Sequence, residues 1–137
     1  MKRIISLLAL CLLAATAYCQ SSPKFVAAIA GKDRGTIKRN VFVAQLGIIP
    51  HLNTQDTSLH CRMLITEFTI KVIRNGQEIY TKHIHATGFD EETHNFFQSV
   101  RVNDVIRATD IRCRVHYYKQ IVVPDLLELN PIELTVI

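Results

Sequence analysis

The chain has 137 residues, of which 48% are hydrophobic, and its formal net charge is +4 at neutral pH. This length is that of one ordinary domain with a single hydrophobic core. Two of the positive charges, Lys2 and Arg3, belong to a predicted leader, so the mature domain carries only +2. That balance does not indicate a basic nucleic-acid-binding groove, and we expect no nucleic-acid partner.

The amino terminus predicts a signal peptide over residues 1–19, followed by one domain over residues 20–137. Lys2 and Arg3 precede an apolar run, Ile4 to Ala17, that is shorter than the roughly 20 residues of a membrane-spanning helix. No second run of that kind follows. We therefore expect an exported protein without a transmembrane span, in the periplasm, at the outer membrane or outside the cell.

Small residues allow cleavage before Tyr18 or before Gln20. Lipidation of Cys19 would tether the protein to a membrane, but the bulky Tyr18 before it disfavours that alternative. Beyond the leader, Cys61 and Cys113 remain. In an exported protein such a pair is a candidate disulfide, and two separate buried thiols are the equal alternative.

The first half of the mature chain predicts a strand over Lys24–Ala30, a turn over Gly31–Gly35 and a short helix over Lys38–Gln45. The strongest local signal is Asn75-Gly76, the preferred pair for a type I′ hairpin turn. It joins strands predicted over Cys61–Ile73 and Glu78–Ala86.

In the second half, Asp90 is predicted to cap a helix over Glu91–Val100. Asn103-Asp104 then turns the chain into a strand over Val105–Tyr118, and apolar residues alternate again over Ile132–Ile137. The pattern as a whole predicts a mainly antiparallel β fold with two short helices.

Candidate catalytic and metal-binding groups are few. His83 and His85 share one face of a strand, but no carboxylate or cysteine is placed by the sequence to complete a metal site. His94 follows an acidic stretch that is better explained as a helix cap, and Cys113 alternates with polar residues as an inward strand residue. We therefore predict no catalytic residue, no metal and no cofactor, and hence no enzyme.

The candidate partner surface is a stripe on the outward face of one long strand, consisting of Arg112, Arg114, His116 and Tyr118. Arginine and tyrosine are favoured at protein interfaces. The alternative, which the sequence favours, is that these residues form ordinary exposed pairs with Glu133 or Asp125.

The order of several short motifs resembles a known family. They are Gly35-Thr36-Ile37, then Gly47-Ile48-Ile49, Glu67-Phe68-Thr69-Ile70, Gly88-Phe89, Val102-Asn103-Asp104-Val105-Ile106 and the closing Asn130-Pro131-Ile132-Glu133-Leu134-Thr135-Val136. In this order they resemble the C-terminal domain of GldM, also called PorM, of the gliding-motility and type IX secretion machinery of Bacteroidota. Asn103 stands where that family has glycine.

The resemblance implies an immunoglobulin-like antiparallel β-sandwich that binds protein partners, including envelope components of that machinery, and that forms a homodimer as in the family. The family's transmembrane helix and preceding periplasmic domains have no counterpart here, so we expect no motor role. The first hypothesis is thus a non-catalytic adaptor of secretion and gliding. The alternative is a free-standing secreted module that binds or inhibits an extracellular ligand.

Overall fold

A computed structural model describes residues 24–53, 61–117 and 126–137 of the protein. Within these residues the strands are β1 Lys24–Ala28, β2 Arg34–Ile37, β3 Ile49–Asn53, β4 Cys61–Arg74, β5 Gln77–Ile84, β6 Val105–Tyr117, β7 Leu127–Glu128 and β8 Ile132–Val136. The helices are α1 Arg39–Val43 and α2 Glu91–Phe97. The predicted mainly-β fold with two short helices is confirmed.

The strands form two sheets in a sandwich-like arrangement. The main sheet has the order β2-β8-β6-β4-β5, with β7 added beside β6, and the second sheet pairs β1 with β3. Neighbouring strands are antiparallel except β2 and β8, which are parallel. The two longest strands, β4 and β6, lie side by side at the centre and position every candidate site described below.

The hydrophobic core covers one face of the main sheet. Strand alternation directs Phe68, Ile70 and Val72 inward as predicted, and all three are fully buried. The helices close the core from the other side, since the Phe42 ring of α1 lies 4.7 Å from the Phe97 ring of α2. Burying side chains of this size stabilises the fold by about 1.5 to 3 kcal/mol each.

The β4–β5 hairpin forms at the predicted turn. Asn75 and Gly76 have φ angles of 50° and 75°, the left-handed values that a type I′ turn requires at both central positions. A second turn of this kind has φ angles of 50° at Ala30 and 75° at Gly31, so it begins one residue before the turn predicted over Gly31–Gly35.

Two irregularities in the β4–β6 ladder decide which side chains face outward. The register shifts on either side of Glu67, and Asp110 on β6 has a φ of 52°. These bulges reverse the inward-outward alternation on both strands, so Ile65 and Phe68 are both buried. Between the shifts, Glu67 lies directly opposite Arg112 on the outer face of the sheet.

Some boundaries differ from the predictions. Helix α2 ends at Phe97 instead of Val100, and β2, β3 and β7 were not predicted. Strand β2 occupies part of the predicted Gly31–Gly35 turn because it is held by pairing with β8, which is distant in sequence. No helix within the described residues is long and apolar enough to span a membrane. The predicted signal peptide and Tyr118 lie outside the described residues.

Candidate functional site

The main sheet gathers three potential metal ligands on its outer face. Glu67 on β4 faces His83 on β5 and His85 just beyond it, and the Glu67 Oε2 atom lies 3.1 Å from His83 Nε2 and 3.4 Å from His85 Nδ1. The two imidazole rings meet edge to face with their centroids 4.6 Å apart. We call these three residues the Glu67–His83–His85 cluster.

Two neighbours orient this cluster. The Thr69 Oγ1 atom lies 2.7 Å from His83 Nδ1, which sets the direction of that ring. On the other side, Arg112 on β6 approaches the second carboxylate oxygen, with 3.0 Å between Arg112 Nη1 and Glu67 Oε1. The hydrogen bond with His83, assisted by the nearby charge of Arg112, holds the pKa of Glu67 below its ordinary value.

Sequence reasoning missed this arrangement. It recognised that His83 and His85 share a face but expected no carboxylate to complete a site with them. That expectation was wrong, because pairing of β4 with β5 brings Glu67 to both rings, although it lies 16 residues before His83 in the sequence. A contact between strands leaves no local spacing motif, so only the strand register could have revealed it.

The predicted partner stripe is outward-facing where the structure describes it. Arg112, Arg114 and His116 are exposed along β6. The expected pairing with Glu133 is wrong, because Glu133 instead binds Arg107 at 2.9 Å and Arg112 binds Glu67. Asp125, the other expected partner, lies outside the described residues, as does Tyr118.

Strand β4 places two further exposed residues beside this stripe. Arg62 lies opposite His116, and Leu64 lies opposite Arg114. All four side chains are exposed, and in the part of the chain that the structure describes neither Arg62 nor Arg114 makes an ion pair. We call Arg62, Leu64, Arg114 and His116 the basic strip.

The basic strip lies on a two-stranded arm. Strand β5 pairs with β4 only from Phe68 onward, and β8 pairs with β6 only up to Ala108. Beyond these points β4 and β6 continue together, and β7 is added only beside Arg112 and Cys113. Among the described strands, none pairs with the outer edge of β4 in this arm, and the Thr87 hydroxyl donates a hydrogen bond to the Ile65 carbonyl.

The pairing register of β4 and β6 places Cys61 and Cys113 apart. Cys61 lies opposite Tyr117, whereas the buried Cys113 lies opposite Ile65. The offset of four residues corresponds to about 13 Å along the strands. A disulfide joins Cα atoms within about 7 Å, so it would require a shifted register, and the predicted disulfide stays a prediction.

The acidic stretch before His94 acts as a helix cap. Asp90 Oδ1 accepts a hydrogen bond of 2.9 Å from the Thr93 backbone N–H, which confirms the predicted cap. Lys82 on β5 approaches Asp90 Oδ2 at 2.7 Å and also pairs with Glu92. The hydrogen bond from Lys82, together with those from Thr93, lowers the pKa of Asp90 to about 2.

A second arginine–carboxylate pair lies at the opposite end of β4. Arg74 donates to both oxygens of Asp104, at 2.9 and 2.8 Å, and Asp104 also accepts from the Arg101 backbone N–H. Asp104 is only 1% exposed. The hydrogen bonds from Arg74 hold the pKa of this carboxylate below its ordinary value. The sequence had assigned Asp104 only to a turn.

Comparison of the sequence with models of known protein families finds no match, and no curated protein is significantly similar to the chain. Function must therefore be argued from the geometry of the outer face and from the motifs already described.

Proposed function

We propose that this protein is a non-catalytic, exported interaction module that docks onto an acidic protein surface through the basic strip, as an adaptor related to the type IX secretion and gliding-motility machinery. The observation that carries the proposal is the basic strip itself. Two arginines that make no ion pair with the described residues flank an exposed leucine, beside a strand edge with which no described strand pairs.

The basic strip differs from the rest of the outer face in whether its cationic side chains face a carboxylate. Over the sheet proper, cationic residues are matched by carboxylates across the strands, as in Arg107 with Glu133 and Lys71 with Glu78. In the basic strip, by contrast, Arg62 lies opposite His116 and Arg114 lies opposite Leu64. Exposed arginine beside an apolar side chain is the composition that favours a protein interface.

The chemistry of the arm indicates the partner. Arginine forms bidentate hydrogen bonds with carboxylates, so we expect an acidic partner surface. The exposed edge of β4 can in addition accept an extended segment of the partner as a further strand. The resemblance of the motif order to the GldM C-terminal domain supports an envelope component of secretion or gliding as that partner.

A charge-reversal experiment tests this proposal. Tagged protein is crosslinked in the envelope of a Bacteroidota host, and the wild type is compared with the double variant Arg62→Glu, Arg114→Glu. The matched control is Arg34→Glu, which changes an 86% exposed arginine on the far edge strand. We expect wild type and control to recover secretion or gliding components and the double variant to lose them. Recovery of only unrelated extracellular targets would contradict the adaptor function, and equal recovery by all three proteins would contradict docking through the basic strip.

A further inference from the structure

We propose that the Glu67–His83–His85 cluster binds a zinc ion on the outer face of the main sheet. This inference is independent of the proposed function, because its ligands are distinct from the basic strip. The three ligand atoms lie within 4.8 Å of one another, and all belong to side chains that reach solvent.

The spacing of the donor atoms fits a tetrahedral ion. In a zinc site with metal–ligand bonds of about 2.0 to 2.1 Å, neighbouring ligand atoms lie about 3.3 Å apart. Glu67 Oε2 lies 3.1 Å from His83 Nε2 and 3.4 Å from His85 Nδ1. An ion can therefore contact all three atoms with small side-chain movements, and a fourth position stays open for water.

The donor set selects the kind of metal. Two imidazole nitrogens and one carboxylate oxygen suit zinc and its neighbours in the first transition row. Magnesium and calcium prefer oxygen ligands, of which this cluster offers one carboxylate.

Contacts with two neighbouring residues fix the orientation of the side chains in the cluster. Thr69 Oγ1 lies 2.7 Å from His83 Nδ1, so the other ring nitrogen, Nε2, points toward Glu67. Arg112 holds Glu67 Oε1 and thereby turns Oε2 toward the two rings. Such outer contacts fix the orientation of metal ligands and change affinity by about 10- to 100-fold. The positive charge of Arg112 opposes a cation, so we expect Arg112→Gln to retain zinc binding.

The test is calorimetric titration of the purified, untagged protein with zinc chloride at neutral pH, with cobalt chloride absorption as a second readout. His85→Ala is the key variant, because its side chain is 75% exposed and lies beyond the end of β5, where it contributes little to folding. His51→Ala is the matched control, since His51 is an exposed histidine on β3 outside the cluster.

We expect one zinc ion per chain, at least tenfold weaker binding for His85→Ala and Glu67→Gln, about tenfold weaker binding for Thr69→Val, and unchanged binding for the control. Magnesium chloride should produce no binding heat. The proposal is overturned if His85→Ala binds zinc within twofold of the wild type, or if His51→Ala weakens binding as much as His85→Ala does.

Discussion

Strand β4 carries an arginine near each end, and the two arginines differ in whether a carboxylate binds them. At its carboxyl end, Arg74 is held by the buried carboxylate of Asp104 and also donates to the Ser99 carbonyl. At its amino end, Arg62 is exposed, and no carboxylate lies opposite it in the ladder. An arginine bound by a buried partner contributes to stability, whereas an exposed arginine without one can bind another molecule at little cost to the fold.

The Glu67–Arg112 pair lies between these extremes. It has a short ion pair, yet Glu67 is 20% exposed and shares its carboxylate with two histidines. Exposed pairs contribute little to folding, since solvent screens them. The outer face thus changes along β4 from a structural ion pair to a ligand cluster and then to the basic strip.

The largest effect on stability should come from breaking the buried pair. Asp104→Ala leaves the Arg74 guanidinium and the Arg101 N–H without their acceptor, and we expect a loss of about 3 kcal/mol in the free energy of unfolding. Urea denaturation measures this. Glu67→Ala is the comparison variant at the exposed pair, and an equal midpoint shift for both would refute the distinction between the two regions.

A backbone contact should have the next largest effect. Gly47 and Gly88 lie so close that a Cβ atom on Gly47 would come within 2.8 Å of the Gly88 Cα atom and the Thr87 carbonyl oxygen. Gly47→Ala should therefore destabilise the protein by about 2 kcal/mol through overpacking. This loss should persist at high salt, unlike one caused by an exposed ion pair. Thermal unfolding in low and high salt separates the two causes.

Acid should reduce the contribution that the bound carboxylates make to the stability of the fold. The pKa values of Asp104 and Asp90 are lowered in the folded protein, that of Asp90 to about 2. Their contributions are complete above the unfolded pKa of about 3.9 and are lost as the pH falls from there toward 2.

Urea midpoints measured between pH 6 and about pH 2.5 should therefore fall, with most of the decline below about pH 4. Asp104→Asn should show a shallower decline, because it removes one of the carboxyl groups that take up protons on unfolding. An unchanged slope in this variant would show that Asp104 does not contribute to the pH dependence.

The smallest effect on stability should come from the basic strip. Arg62→Ala and Arg114→Ala remove exposed side chains that make no ion pair with described residues, so we expect unfolding midpoints like that of the wild type. The same variants should weaken binding to an acidic partner. A marked loss of stability in either variant would show that the arm depends on its arginines for folding.

Local signals account for the features that were predicted correctly. The Asn75-Gly76 turn and the Asp90 cap depend on residues within a few positions of each other, and the alternation of Ile132, Leu134 and Val136 identifies a buried strand face by itself. Strand β3 was missed because its Pro50 obscures the strand pattern, and β2 was missed because its four residues are held by pairing with β8.

The amino-acid sequence by itself determined the mainly-β class, the central hairpin, the helix cap and the outward direction of Arg112, Arg114 and His116, since periodicity and turn chemistry act over short distances. Only the tertiary structure decided that Glu67 meets two histidines, that Asp104 is buried against Arg74, and that Cys61 and Cys113 are offset by four residues. These relations depend on the register of strands that are distant in sequence, and two bulges set that register.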